Sequence, residues 1–388
     1  MPVNYLKLNQ QIRDMGKDAL SREADMRRAM EQLSSLLNER ANDLIALQQQ
    51  VEEAAAKTKG LRCAVPVSES LNTHLSCPLP APASTIFAAD GSQINPDSHD
   101  SVLYGLVNIG VFCIQPHSGS VPVEKTYSHL LYGEELYASS GMASEDLIAL
   151  LRDVQERRIL AELAQSVPPP VITLTDGPLE LYHEPRTEAL FKEKFKDYLT
   201  ALDDLALNDI VTAGYVSRPR ADLVVKLLTL PADPGQPGTV EKGITGISDT
   251  ALFSNFLLPG ERSAIFRLQS RSADEYTDRK ALHFFYLNVG TSSRPAFARV
   301  EIPLWVAENP GSVQQLHSTL MEQAALSGEV PYPYPLIRAH EIAVVKMTDR
   351  QQLTTMIERE LIHQGIKPGA KSEKQVHKDH TGRTRINR

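Results

Sequence analysis

Apolar residues recur in steps of three and four along the first 57 residues, which contain almost no glycine or proline after Gly16. The series consists of Met26, Met30, Leu33, Leu37, Leu44, Leu47 and Val51, and only Arg40 interrupts it. This spacing predicts a long, coiled-coil-like helical region over residues 1–60. Two interpretations stay open, namely an amphipathic helix packed on its own domain and a helix that docks on a dimer mate or another partner.

The pattern then changes to short apolar runs separated by turn residues. Residues 61–84 are rich in proline and serine and are predicted to be a connector. Strands are predicted at 85–90, 101–115, 121–127, 168–177, 221–230, 281–290 and 296–307. Helices are predicted at 144–166, 186–208, 312–326 and 339–365.

This order of elements predicts an α/β fold, with a mixed sheet flanked by helices that begins with an antiparallel meander and continues with crossovers. A ribonuclease-H-like sheet is ordered in this way, so we predict one such domain over 85–365. The remaining segment, 366–388, has seven Lys/Arg against two acids and almost no apolar residues. We therefore predict a disordered basic tail there.

Composition narrows the class of protein. The 388 residues include 40 Lys+Arg and 48 Asp+Glu, which gives a net charge of −8 and lowers the expectation of autonomous nucleic-acid binding. The three cysteines, Cys63, Cys77 and Cys113, lack C-x-x-C spacing, which argues against zinc and for a reducing compartment. Because no apolar run is long enough to cross a bilayer and the start has no signal-like h-region, we expect a cytoplasmic protein without membrane contact.

Two predicted strands end in an aspartate followed by glycine, Asp90 and Asp176. Carboxylates at strand ends gather where α/β sheets hold ligands, and oxygen ligands suit Mg²⁺ or Mn²⁺ in phosphodiester hydrolysis. Asp-Gly is also an ordinary turn dipeptide, so on spacing alone a structural role is the stronger alternative.

Three further residues are candidates. Glu156 lies in the helix before the second Asp-Gly strand, where it can also be a surface glutamate paired with Arg152. Two Tyr-Pro dipeptides, at Tyr332 and Tyr334, predict an extended approach to a helix bearing His340. That approach can direct a tyrosine hydroxyl and an imidazole to one site, or simply pack the chain.

Taken together, several segments in order resemble the NurA nucleases, which partner HerA-type hexameric ATPases in DNA end resection. They are AADGSQ (88–93), the helix with Arg152 and Glu156, LTDGPLE (174–180), AGYVSRPRADLVVKLL (213–228), SDTALFSNFLLPGERSAIF (248–266) and YPYPLIRAHE (332–341). The resemblance covers about residues 85–350. It implies a ribonuclease-H-like core, a homodimer, and Mn²⁺-dependent 5′ to 3′ exonuclease and single-strand endonuclease activity.

The resemblance also implies roles for single residues. Asp90, Glu156 and Asp176 match the metal-binding carboxylates, and Tyr332 and His340 match the tyrosine and histidine eight residues apart. His340 would complete the site for Mn²⁺, with Mg²⁺ as the alternative ion, and Tyr334 is a weaker substitute for Tyr332. The approach Tyr-Val-Ser-Arg-Pro-Arg departs from the archaeal form, which leaves a phosphate contact by Lys226 open.

The leading hypothesis is therefore a metal-dependent DNA nuclease that works with a HerA-like ATPase. The alternative is a catalytically inactive NurA-like subunit that binds the ATPase or DNA ends. A ribonuclease acting on RNA–DNA hybrids is a third hypothesis that depends only on the shared fold. Cleavage polarity, strand preference, activity without the ATPase and a repair or anti-phage setting do not follow from the sequence.

Overall fold

The computed structural model describes the chain except for residues 1–3, 79, 99, 139–140, 143, 184–185, 188, 232–245, 368 and 370–388. Most of the predicted basic tail 366–388 thus lies outside the described residues. Within the described part, no helix combines the length and the apolar character that crossing a bilayer requires.

The helices are α1 (Tyr5–Glu39), α2 (Leu44–Lys57), α3 (Glu145–Gln165), α4 (Ala189–Leu207), α5 (Leu223–Thr229), α6 (Asp249–Phe253), α7 (Leu304–Ala307), α8 (Pro310–Ala325), α9 (Tyr334–Ala343) and α10 (Met347–His363). The strands are β1 (Cys63–Pro66), β2 (His74–Ser76), β3 (Thr85–Ile94), β4 (Gly105–Ile114), β5 (Val123–Leu131), β6 (Tyr137–Ala138), β7 (Gly141–Met142), β8 (Val171–Asp176), β9 (Val211–Ser217), β10 (Glu261–Ser263), β11 (Phe266–Gln269), β12 (Leu282–Asn288) and β13 (Phe297–Pro303).

The chain forms two compact units, each assembled from several stretches of sequence. The first unit comprises residues 1–82, 177–180 and 212–333, and the second comprises 83–176, 181–211 and 334–388.

In the second unit the strand order is β8-β3-β4-β5. The strands β3, β4 and β5 form an antiparallel meander, and β8 runs parallel to β3. Helices α3 and α9 pack on these strands, and α4 packs on α3. A meander followed by a parallel crossover strand is the ribonuclease-H-like order, so the predicted fold class of a mixed sheet flanked by helices, with an N-terminal helical region, is confirmed.

Helix α3 begins where the sequence predicts it. The Ser144 side chain accepts a hydrogen bond from the Leu147 amide at 3.2 Å, which satisfies one of the unpaired amides of the first turn. Leu150, Val154 and Leu160 are buried and attach the helix to the sheet. The helix therefore holds a fixed position above β3, and this position decides where its polar side chains lie.

In the first unit the strand order is β1-β11-β12-β13-β9, and β10 and β2 extend from β12. The predicted connector 61–84 contributes β1 and β2, so this part of it is folded structure. Buried Phe266, Phe284 and Tyr286 form an aromatic core, with ring centroids 5.7 and 5.9 Å apart in the two neighbouring pairs.

The N-terminal helical region is two helices, because the chain turns at residues 40–43. Leu33, Leu37 and Leu47 of the apolar series are completely buried. Helix α1 contacts α5 and α6, and α2 contacts β1, and these contacts cover this part of the series. Packing of the helices on their own domain, rather than docking on a partner, therefore accounts for residues 29–51. Met26, the first residue of the apolar series, is 50% exposed.

Three predicted elements are wrong. Residues 221–230 form helix α5 rather than a strand, and the strand in this region is β9. The Asp249 carboxylate accepts hydrogen bonds from the backbone amides of Val224 and Val225 at 2.9–3.0 Å and so caps the start of α5. The short apolar run by itself is compatible with a strand or a helix, and the capping residue is distant in sequence. The predicted helix 339–365 is two helices, α9 and α10, and α9 begins earlier, at Tyr334.

The third correction concerns Asp90. The predicted strand 85–90 does not end in an Asp-Gly turn, because β3 continues through Gly91 to Ile94 and pairs with β4 along its whole length. Asp90 therefore lies in the middle of a strand, whereas Asp176 is the last residue of β8 as predicted.

Candidate active site

Two carboxylates are brought side by side in the second unit by strand register. Ala89 pairs with Thr175 in the parallel β3–β8 ladder, so the next residues, Asp90 and Asp176, are neighbours on adjacent strands. Paired positions point to the same face of a sheet and neighbouring strands lie about 4.8 Å apart. One face of the sheet therefore carries both aspartates that the sequence singled out.

His340 joins them from helix α9. Its Nδ1 lies 2.6 Å from Asp90 Oδ2, and its ring is 64% exposed while the Asp90 side chain is 17% exposed. The second Asp90 oxygen accepts the Gly91 amide at 2.8 Å. The structure thus brings together Asp90 and His340, which are 250 residues apart in sequence.

Helix α9 can reach this position because its backbone rests directly on β4. Asp90 pairs with Gly110 on that strand. A Cβ atom at Gly110 would lie 2.5 Å from the carbonyl oxygen of Ala339 and 2.5 Å from the amide nitrogen of Ala343. Asn108 and Ser92 donate hydrogen bonds to the Ala343 carbonyl at 2.8 and 2.5 Å, which fixes the end of the helix.

Glu156 approaches the same strand from α3. A Cβ atom at Gly91 would lie 2.6 Å from Glu156 Oε1 and would also overlap the Arg152 side chain. Because residues 90 and 91 point to opposite faces of the sheet, Glu156 comes from the face opposite His340. Gly91 therefore supplies the space through which this carboxylate reaches the strand, and a surface location for Glu156 is wrong since the residue is 7% exposed.

The surroundings of Glu156 favour its neutral form. Burial raises its pKa well above the ordinary value, and the negative charges of Asp153 and Asp90 raise it further, against the opposite effects of Arg152 and Arg157. Arg152 Nε lies 3.6 Å from Glu156 Oε1, so the predicted i−4 pair is present but long. Burial is the largest of these effects.

Sequence reasoning missed a polar cluster next to Glu156. Asp153 accepts hydrogen bonds from Arg152 at 2.7 Å, and His183 Nε2 lies 2.7 Å from its second oxygen. Arg157 is buried and donates to Thr175 Oγ1 at 2.8 Å. Asp153 lies three residues before Glu156 and so on the same side of α3, and this spacing is a sequence signal that could have identified it. No sequence signal pointed to His183.

Three candidates remain. Tyr332 belongs to the first unit, where its ring meets the edge of Tyr215 at 5.2 Å. Tyr334 begins α9 and packs against Phe112 with ring centroids 5.7 Å apart, a structural contact. Lys226 lies on α5 and pairs with Asp222 at 3.0 Å.

The donor chemistry of the second unit fits a hard divalent cation. Asp90, Asp176 and Glu156 supply carboxylate oxygens, and His340 adds an imidazole nitrogen, which are donors that Mn²⁺ and Mg²⁺ accept. The Glu156 carboxylate occupies the space at Gly91 that a Cβ would fill, on the face of β3 opposite Asp90 and His340. Among the described residues, however, no group of three or more His, Cys, Asp or Glu side chains forms a ready-made metal site.

A ribonuclease-H-like sheet with aspartates on its neighbouring strands β3 and β8 defines an α/β protein with a carboxylate site. The profile of the NurA domain family matches residues 84–345 of the chain. Because this match covers well over half of the sequence, the protein belongs to the NurA domain family.

A solved structure is similar in fold. The NurA nuclease from Sulfolobus solfataricus superposes with a TM-score of 0.50 at 13% identity, covering 88% of this chain and 98% of that one. The catalytic domain of human endonuclease V is also similar, at 15% identity and a TM-score of 0.31, with coverage of 81% and 98%. The second likeness is too low to support an argument. A comparison with curated protein sequences found no match.

Proposed function

We propose that this protein is a metal-dependent DNA nuclease of the NurA type. The observation that supports this most is the pair of adjacent carboxylates Asp90 and Asp176, with His340 hydrogen-bonded to Asp90. Family membership supports the same reading, since the Sulfolobus member is itself a nuclease. We extend the proposal to 5′ to 3′ exonuclease and single-strand endonuclease activity.

Each residue has a defined task in this proposal. Asp90, Asp176 and His340 would hold Mn²⁺ from one face of the sheet, with Mg²⁺ as the alternative. Glu156 would join them by turning its carboxylate, which lies in the space at Gly91, toward Asp90. The Gly91 amide and His340 fix the two Asp90 oxygens, so this carboxylate is oriented before a substrate arrives. His340, whose ring is largely exposed, can hold or release a proton near the phosphodiester.

A bound divalent ion would activate water and neutralise charge that develops on the leaving oxygen. Its positive charge would also lower the pKa of the Glu156 carboxyl group. For partners, we propose DNA, a HerA-like hexameric ATPase and a second copy of this chain as a homodimer.

The test combines cleavage with ion binding. Asp90→Asn and Asp176→Asn should each abolish cleavage of a labelled single strand in Mn²⁺ and weaken Mn²⁺ binding in calorimetry, because each removes a charged oxygen donor. Replacing Mn²⁺ by Ca²⁺ should lower the rate, since Ca²⁺ prefers more ligands and looser geometry.

Glu162→Gln is the matched control for Glu156→Gln, because Glu162 lies on the same helix with its side chain 70% exposed. The control should keep the wild-type rate while Glu156→Gln loses it. Wild-type cleavage by Asp90→Asn would refute the site. A wild-type protein that binds the ATPase but cleaves nothing would instead favour the inactive-subunit alternative.

A further inference from the structure

A cavity of about 580 Å³ lies in the first unit, beside the end of β9. Its lining includes the three arginines Arg218, Arg220 and Arg294, and Glu329 is the one acidic side chain among the described residues that line it. The chain as a whole has a net charge of −8. A local excess of positive charge on an acidic protein is a feature that a polyanion would recognise.

The backbone holds two of these arginines toward solvent. Arg218 has φ +46°, a left-handed conformation that a non-glycine residue adopts at a cost. Its amide donates to the Phe297 carbonyl at 3.1 Å, and the next residue, Pro219, is buried, so the surroundings enforce this conformation. Both Arg218 and Arg220 are exposed, and within the described part of the chain neither forms a salt bridge.

Aromatic rings lie in the same cavity. Tyr332 and Phe297 are half-buried lining residues. The Tyr332 ring rests edge-on against Tyr215, which is 1% exposed, at a centroid distance of 5.2 Å. A ring supported in this way is a fixed surface on which a base can stack, and such stacking needs a base that is not paired in a duplex.

We propose that this cavity binds a segment of a single DNA strand, with Arg218, Arg220 and Arg294 contacting phosphates and Tyr332 and Phe297 contacting bases. A volume near 580 Å³ is within the range of about 300–1,000 Å³ that encloses a small ligand, so it admits a nucleotide or two rather than a duplex. The identity of the polymer as DNA rests on the proposed function.

The test measures binding without cleavage. A fluorescent single-stranded 20-mer is titrated by anisotropy at several salt concentrations, with the full chain carrying Asp90→Asn and without Mn²⁺. Adding Arg218→Ala with Arg220→Ala should weaken binding at least tenfold. It should also reduce the slope of log K against log salt by about 1.4, because each phosphate contact to a single strand contributes about 0.7.

The matched control is Arg271→Ala, which removes the same charge from an exposed arginine of the first unit that does not line the cavity. It should leave affinity and slope nearly unchanged. Arg218→Lys with Arg220→Lys should keep most of the slope and shows whether a loss came from misfolding. Equal affinity and slope in the alanine variant and in the Arg271→Ala control would overturn the proposal.

Variants of Tyr332 test the stacking of a base on its ring separately from any contribution of its hydroxyl group. Tyr332→Phe keeps the ring and should bind like the parent, whereas Tyr332→Ala should lose about tenfold in affinity for the single strand. Affinity for a blunt duplex should change little in either variant. Equal losses for single strand and duplex would overturn the assignment to a single strand.

The two proposals fail in different experiments. If the wild type cleaves DNA but the arginine variant binds normally, the cavity proposal is wrong and the nuclease stands. If the arginine variant loses binding but the wild type cleaves nothing in Mn²⁺, the cavity proposal stands and the nuclease is wrong.

Discussion

At the residue scale, burial controls the charge of two histidines in the first unit. His283 and His317 are 3% and 2% exposed, and burial lowers the pKa of each to about 4, with nearby arginines lowering it further. His317 Nε2 donates to the Gly260 carbonyl at 2.9 Å, which opposes the shift only in part. Both rings are therefore neutral at pH 7.

We expect the free energy of unfolding to fall as the pH drops from about 6.5 to about 4. In that window the unfolded chain binds a proton at each histidine that the folded chain does not, so protonation favours unfolding. A lowering from 6.5 to about 4 corresponds to about 3 kcal/mol for each ring. Urea unfolding at several pH values would measure the slope.

His317→Gln keeps an N–H donor and removes the titration, so its stability should depend less on pH than that of the wild type between pH 6.5 and 4. The comparison uses slopes, because the substitution can also change stability at pH 7. If the free energy of unfolding changed with pH equally in the two proteins, the expectation would be wrong.

At the scale of single elements, α9 depends on how closely it approaches β4. Gly110 leaves no room for a side chain, since the atoms that a Cβ would meet belong to the helix backbone. The strand position opposite Gly110 is Asp90. The distance between α9 and β4 therefore determines whether His340 reaches Asp90.

Gly110→Ala should destabilise the protein by about 1–3 kcal/mol, as overpacking does, and should reduce cleavage by moving His340 away from Asp90. Gly16→Ala is the control, because no atom lies within 4 Å of a Cβ there and alanine favours a helix. Thermal unfolding and cleavage rates measure both. A Gly110→Ala protein with wild-type stability and rate would show that α9 is not held in this way.

Helix α1 also has two parts with different surroundings. Its C-terminal half buries Ala29, Leu33 and Leu37 on its own unit, whereas Leu6, Ile12 and Met15 in its N-terminal half are 87%, 56% and 61% exposed. We expect Ile12→Asp with Met15→Asp to lower the association of the proposed homodimer while stability changes little. Leu37→Ala, at a completely buried position, should instead cost about 2–5 kcal/mol.

Light scattering gives the mass of each variant and urea unfolding gives its stability. If the double variant associates as the wild type does, the exposed half of α1 does not form the dimer contact. In that outcome the homodimer would have to use another surface.

At the scale of the whole molecule, charge is unevenly distributed along the sequence. Residues 367–388 hold seven Lys/Arg and two acids, a charge of +5, so the rest of the chain has −13 within the total of −8. At physiological salt the Debye length is about 8 Å, so an acidic body opposes binding of DNA at close range. We expect the tail to offset this repulsion.

Deleting residues 367–388 should therefore weaken DNA binding and flatten its salt dependence, because fewer counterions are released from the phosphates. The cleavage rate at saturating DNA should be retained. Anisotropy at 50 and 200 mM salt compares the truncated and full-length chains, and identical curves would leave the tail without a role in binding.

The fold class follows from the sequence because alternating and helical periodicities record which face of each element is buried. The hairpin at 105–131, the helix after Ser144 and the strand that ends at Asp176 are all predicted within a few residues. The same patterns identify Asp90 and Asp176 as the carboxylates to consider. These features are local, and local sequence determines them.

Tertiary structure decided what depends on distant residues. Asp-Gly at 90–91 has the sequence of a turn, but pairing of β3 with β4 continues the strand, and Gly91 instead makes room for Glu156. Helix α5 forms where an apolar run suggested a strand, because Asp249 caps it. The contact of His340 with Asp90 depends on Gly110, and the basic cavity on a left-handed turn at Arg218. No local pattern records such contacts, since the energy that selects them comes from residues far apart in the chain.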